Sequence, residues 1–149
     1  MVILVTLIAT TLLARLLGLT GITLLTTWPA AIRVGLCAMF LFAAFAHFNS
    51  MRHDLARMVP PILTRPLGVI YFTGICEILG AIGLLIPGIR IYAAIGLISF
   101  LIAVLPANIH AAKTKVTFRG KSATPLIVRI PMQFLFIALT WWAGIIHAK

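Results

Sequence analysis

Residues 67–86 read LGVIYFTGICEILGAIGLLI, twenty positions that contain no lysine or arginine and a single carboxylic acid, Glu77. At 1.5 Å of rise per residue, about 20 mainly apolar residues form a helix that crosses the roughly 30 Å hydrocarbon core of a bilayer. Arg65-Pro66 precedes the stretch and Pro87-Gly88 follows it, which places proline at a first turn and a tight reversal at the end. A carboxyl at membrane depth is expensive, so it normally has a partner or a task. The stretch therefore decides the fold class and names the residue that any chemistry must explain.

Working outward, four more apolar segments follow the same pattern, at residues 2–25, 30–48, 91–112 and 126–146. Across 149 residues, 62% are hydrophobic and only 9% are charged, with a mean hydropathy of +1.18. A soluble domain carries about 25% charged residues, so a water-facing surface is missing. The expected fold is all-α, an integral membrane helix bundle. It has four core transmembrane helices in residues 29–149 and an extra N-terminal span in residues 1–28. Arg15, Gly18 and Gly21 interrupt that first segment, and no base precedes Arg15. A cleavable signal peptide would open with a basic region, so the segment reads as a retained span or a membrane-embedded hairpin. Pro29 and Pro125 stand at first-turn positions, with Thr124 as an N-cap before Pro125.

The net charge of +10 is distributed as membrane topology requires, not along a soluble face, and nucleic acid is not an expected partner. Arg52, Arg57 and Arg65 lie in the 49–66 loop; Lys113, Lys115, Arg119 and Lys121 lie in the 113–124 loop, with Arg129 just beyond. Arg33, Arg90 and Lys149 fall on the other side. The positive-inside rule puts both long loops in the cytoplasm. Trp28, Tyr92, Trp141 and Trp142 then form an outer aromatic belt, and Arg33 and Arg90 read as boundary anchors. Within the first loop, Met51, Leu55, Met58 and Val59 approximate one face of an interfacial helix. Cys37 and Cys76 sit in apolar runs without CxxC or metal-ligand spacing, and read as inert thiols.

The polar residues inside the spans are few. Thr73, Gly74, Gly80 and Ala81 lie three and four positions from Glu77, so its face is lined by small residues and turns into the bundle. Glu77 lies about 15 Å from the cytoplasmic boundary. On the fourth span, Ser99, Ala103, Pro106 and His110 share a face. On the last, Arg129, Gln133, Phe136 and Thr140 do. His47, Asn108 and His110 lie near the cytoplasmic ends of their helices, which suggests a polar vestibule narrowing toward Glu77. Gln133 is a candidate hydrogen-bond partner for the carboxyl, and Arg15 a candidate ion-pair partner. On helix spacing alone, His47 and Glu77 are about 10 Å apart in depth, so a water chain links them more easily than a direct bond. Glu77 has two readings, a packing carboxyl or a proton-relay or ligand-binding group. His47 and His110 could be packing residues or ligands; a bis-histidine haem is disfavoured, since two histidines alone are a weak signal. No metal set is apparent. The motifs GxGxxG, HExxH, GxSxG and the Walker loop are absent, and a single embedded acid argues against a two-carboxylate mechanism.

Several short motifs occur in a telling order. Ala46-His47-Phe48 closes the second segment and Met58-Val59-Pro60-Pro61 follows in the loop. Gly74-Ile75-Cys76-Glu77-Ile78-Leu79-Gly80 and Gly83-Leu84-Leu85-Ile86-Pro87 lie in the third, and Pro106-Ala107-Asn108-Ile109-His110 in the fourth. Over roughly residues 30–146 this resembles the DoxX-like family of small multi-pass membrane proteins. The resemblance implies a four-helix membrane bundle and, for some members, association with thiosulfate:quinone oxidoreductases or thiol-redox complexes. His47, Glu77, Asn108 and His110 are the positions that match the family pattern. The leading expectation is an inner-membrane protein, an accessory or quinone-facing subunit of a membrane redox system. Glu77 would relay a proton with His47 and His110, while Asn108, Gln133, Arg129 and Arg15 would bind ligand. The cofactor is left open, with quinone as a candidate; the lipid bilayer is the expected partner, and a redox protein and a homo-oligomer are compatible. With no independent catalytic motif, an oxidoreductase role would be that of a subunit. The alternatives are a carrier or binder of a small hydrophobic molecule and a purely structural membrane subunit.

Overall fold

Prolines and one threonine set where the helices begin. Thr27 caps α2 (Trp28–Phe48): its Oγ1 accepts the Ala30 N–H at 3.4 Å, with Pro29 in the first turn, where a missing N–H costs nothing. Pro66 opens α4 (Pro66–Gly83) in the same way. The computed structural model describes residues 2–113, 117–118, 121–122 and 124–148. Lys115, Arg119 and Lys149, used above to sort charge, lie outside the described residues.

In chain order, α1 (Val2–Leu19) is followed by a 3-10 turn (Thr23–Leu25), α2, a short α3 (Arg52–Ala56) and α4. Next come α5 (Arg90–Ala103), α6 (Leu105–Lys113) and α7 (Leu126–Trp141), which runs on into a π-helical turn (Trp142–Ile146). Thr117–Phe118 and Lys121–Ser122 form a two-residue antiparallel pairing between α6 and α7. The protein is an all-helical membrane bundle. Among the described residues, five helices are long and apolar enough to cross a bilayer, the fourth being α5 and α6 taken together, Arg90–Ala111.

The core lies between α2, α4, α5 and α7. Leu36, Met39 and Phe40 of α2 meet Leu97 and Leu101 of α5, Leu84 beyond α4 and Phe136 of α7; Leu7 joins them from α1. The outward faces carry Leu12, Phe72, Leu79, Tyr92, Ile102, Ile127 and Phe134, all exposed. In water such a surface would aggregate; in lipid it is the solvent-facing surface. Glycine permits the closest helix contacts, as membrane interfaces favour. A Cβ on Gly83 would come within 2.7 Å of the Ala93 Cβ, and one on Gly144 within 2.7 Å of the Ala94 Cβ.

Four local expectations need correction. The first helix stops at Leu19, not residue 25, because Gly21 takes a φ of +108° and turns the chain, a conformation glycine adopts without Cβ strain. The helix expected over residues 51–59 is only Arg52–Ala56; beyond it Met58 is buried against Ala111, with Leu55 and Ala107 packed on the pair. Pro125, not Thr124, occupies the cap of α7, its carbonyl accepting from the N–H groups of Val128 and Arg129. The fourth span is broken at Val104, because Pro106 has no N–H for the Ile102 carbonyl and its ring clashes with that turn. Upstream of the break, Ala94, Leu97 and Leu101 face the core, whereas Ser99, Ala103 and Pro106 are exposed. The face assigned to His110 by spacing is therefore the outer face of α5.

Candidate functional site

Gly74 sets the geometry of the site. It is eight residues past Pro66, about 12 Å along α4, and a Cβ there would lie 2.7 Å from the His47 Cβ and 2.9 Å from Phe48 Cε2. The last turn of α2 therefore sits level with the middle of α4. The first turns of α4 project past it and pack against α3. Phe48 and Tyr71 rings meet at 6.0 Å, and the Arg52 guanidinium lies 6.0 Å from the Tyr71 centroid.

This offset brings His47 Nε2 to 3.4 Å from Glu77 Oε2, with side-chain exposures of 13% and 7%. The 10 Å separation expected from spacing is thus overturned: it assumed that both helices end at one boundary, and α2 ends deeper. On the other edge of the ring, Nδ1 lies 2.8 Å from the Ile70 carbonyl oxygen and 3.2 Å from Thr73 Oγ1. Thr73 itself donates to that carbonyl at 3.0 Å. A carbonyl only accepts, so Nδ1 carries the proton, and in a neutral ring Nε2 is left as an acceptor. One proton then belongs between Nε2 and Oε2, as carboxylic acid facing imidazole or as carboxylate facing imidazolium. The 3.4 Å contact falls short of hydrogen-bond geometry, and Oε2 is buried with no hydrogen-bond partner among the described residues.

The remaining expected residues form a second group. Pro106 breaks the helix, and the Leu101 carbonyl accepts a bond from Gln133 Nε2. Gln133 Oε1 accepts from Asn108 Nδ2 at 3.0 Å, and Asn108 Oδ1 accepts from Arg129 Nη1 at 3.2 Å. Gln133 is therefore engaged by Asn108 and a backbone carbonyl, not by the Glu77 carboxyl. Asn108, Gln133 and Arg129, expected to bind ligand, thus bond one another and tie α7 to the broken fourth span. His110 is half-buried on α6, which packs against α7, α5 and, through Ala107 and Ala111, Leu55 and Met58. Arg15 lies at the opposite end, its guanidinium 5.6 Å from the Trp28 ring centroid, so it does not pair with Glu77.

Sequence reasoning undervalued Arg33 and Arg90, which are 8% and 6% exposed and not peripheral anchors. Arg33 Nη1 donates to the Ala143 and His147 carbonyls at 3.0 and 2.7 Å. Arg90 donates from Nε to Leu84 at 2.9 Å and from Nη1 to Ala148 at 2.6 Å. The available signal was that Arg33 lies more than a turn inside its helix.

Two depressions are notable. A cavity of about 290 Å³ is lined by Thr27, Pro29, Arg33, Ile146 and His147. An apolar groove of about 240 Å³ runs between α4 and α5, lined by Leu79, Gly80, Gly83, Ile89, Tyr92, Ala93, Gly96 and Leu97. Gly80 is one turn from Glu77.

No curated protein and no solved structure matches the chain. One family does match, over residues 36–144, which include His47, Glu77, Asn108, His110, Arg129 and Gln133. The chain belongs to that family, described as Domain of unknown function (DUF8561).

Proposed function

We propose that this chain handles protons inside the membrane, as a quinone-facing accessory subunit of a redox system of the kind expected from its DoxX-like motifs. The observation that carries the reading is the His47–Glu77 contact at 3.4 Å with Nδ1 committed to the Ile70 carbonyl. A quinone reduced by a partner protein takes up protons with its electrons. Glu77 as the acid gives its proton to the reduced quinone oxygen. His47 Nε2, taking a proton from the basic-loop end, refills the carboxylate while Nδ1–H stays on Ile70. Groups that titrate near neutrality suit such transfer. On the positive-inside rule, loops 49–66 and 113–124 face the cytoplasm of an inner membrane, so the proton would come from that side. His110 is a further candidate for this relay.

The groove between α4 and α5 favours an apolar ligand, because its wall is glycine-rich and one end lies a turn from Glu77. The same groove supports the second reading, a binder or carrier of a small hydrophobic molecule. The test uses the full chain in liposomes with a short-tailed quinone and a chemical electron donor that stands in for the partner protein and reduces the quinone. Binding of the quinone and quinone-dependent proton uptake are expected in the parent. Glu77→Gln should abolish the uptake while leaving the unfolding temperature close to the parent's. Absence of quinone binding, or uptake unchanged by Glu77→Gln, overturns the redox reading. Unfolding caused by Glu77→Gln would instead make the carboxyl a packing group.

A further inference from the structure

At the end of the bundle away from the basic loops, two buried arginines converge on one short stretch of chain. Arg33 and Arg90 both donate to carbonyls within residues 143–148, and Arg90 also donates to Leu84. The two acidic side chains are engaged elsewhere, Glu77 facing His47 and Asp54 at 3.7 Å from Arg57. Backbone carbonyls at a helix C-terminus supply only about half a negative charge, so among the described residues the two guanidinium charges are incompletely balanced. Buried charge normally comes with a counter-charge.

The 290 Å³ cavity lies against this cluster, close to the lower end, about 300 Å³, of small-molecule pockets. Arg33 spends Nη1 on its two carbonyls, which holds the guanidinium in place. Nε and Nη2 have no hydrogen-bond partner among the described residues. Thr27 and Pro29, at the N-terminal end of the 21-residue α2, line the same cavity; Thr27 already holds the Ala30 and Ala31 N–H groups, so the helix contributes only the positive end of its dipole, which favours an anion there. His147 completes the wall, its ring 4.7 Å from Trp142.

We propose that this cavity binds a phosphate group, held in a bidentate manner by the free edge of the Arg33 guanidinium at the α2 N-terminus. A planar fork with two parallel N–H donors matches a phosphate's oxygens, whereas an ammonium does not. The phosphate could belong to a lipid headgroup or be free in solution, and the experiment separates the two.

The full chain in neutral detergent is unfolded thermally with inorganic phosphate or with chloride at equal ionic strength. A rise in unfolding temperature with phosphate alone is expected, a reading that needs no variant. Arg33→Lys keeps the charge but loses the fork and should weaken phosphate binding about tenfold; Arg33→Gln should abolish the shift. Arg15→Gln, at the same end but stacked on Trp28, should leave it unchanged. In parallel, native mass spectrometry compares retention of phosphatidylglycerol with that of a neutral galactolipid lacking phosphate. Arg33-dependent retention of phosphatidylglycerol identifies a lipid headgroup site. A shift with inorganic phosphate and no lipid preference identifies a site for free phosphate. The proposal is overturned if neither probe responds, or if Arg15→Gln and Arg33→Lys reduce the response equally.

Discussion

Replacing Gly74 with alanine tests the close approach on which the His47–Glu77 contact depends. The new Cβ would stand 2.7 Å from the His47 Cβ, 2.9 Å from Phe48 Cε2 and 3.0 Å from His47 Cγ. Carbon atoms in contact prefer about 3.5–4.0 Å, and the nearest of these atoms is fixed directly on the α2 backbone, so it cannot swing aside. The two helices must part by roughly 1 Å. The 3.4 Å gap between Nε2 and Oε2 then opens past about 4 Å, where ion pairing lapses, and the 2.8 Å contact to Ile70 is lost. Overpacking costs about 1–3 kcal/mol and the lost hydrogen bond about 1 kcal/mol. The better helix propensity of alanine returns at most about 1 kcal/mol. The net expectation is a loss of about 1–3 kcal/mol, read by reversible unfolding in mixed detergent micelles. Infrared difference spectra of the Glu77 carboxyl should change in the same variant. Gly68→Ala is the control, because its Cβ meets only the Arg65 Cβ at an ordinary 3.7 Å; its stability should stay within about 0.5 kcal/mol of the parent or rise. A Gly74→Ala protein as stable as the parent, with an unaltered carboxyl signal, would refute the reasoning, as would an equal loss in Gly68→Ala.

Two further substitutions probe the polar groups around the core. Thr140 is fully buried and its Oγ1 has no hydrogen-bond partner among the described residues, so Thr140→Val keeps the shape and removes a desolvation cost; a gain of about 1–2 kcal/mol in the same unfolding assay is expected, and a loss would show that the hydroxyl is satisfied. Gln133→Leu leaves Asn108 Nδ2 and the Leu101 carbonyl without their partner; a loss of about 1–3 kcal/mol is expected, with faster hydrogen exchange around the Val104 break, and unchanged exchange there would count against the link between α7 and the broken span.

How much of the site could be read from the chain depends on the kind of information each residue needs. Glu77 was identifiable because a lone acid in an apolar run contradicts its surroundings, and its small-residue neighbours pointed it inward. His47 was identifiable as a polar residue closing a span, but its distance from Glu77 was not, because depth along one helix says nothing about where the next one ends. Gln133 was recognised as polar but directed toward the carboxyl, whereas it bonds Asn108 and the Leu101 carbonyl: a helical wheel gives a face, and the bend at Pro106 changes what that face meets. Arg15 failed for a related reason, since its partner Trp28 lies across a turn created by Gly21. Arg33 and Arg90 looked like interface residues because arginine at a span's edge usually snorkels.

By itself the sequence determined that the chain is a helical membrane protein, where its spans lie to within a few residues, and which face of the third span is tightly packed. Those properties follow from local quantities: hydropathy summed over a helix length, proline at first turns, and spacing of small residues. Tertiary structure alone decided that α2 stops level with the middle of α4, that His47 Nε2 faces the Glu77 carboxyl at 3.4 Å, and that two arginines grip the final turn. Those depend on how far one helix slides against another, which in lipid is governed by close packing at glycines and not by the hydrophobic pattern. A pattern that is apolar on nearly every face has no register to read.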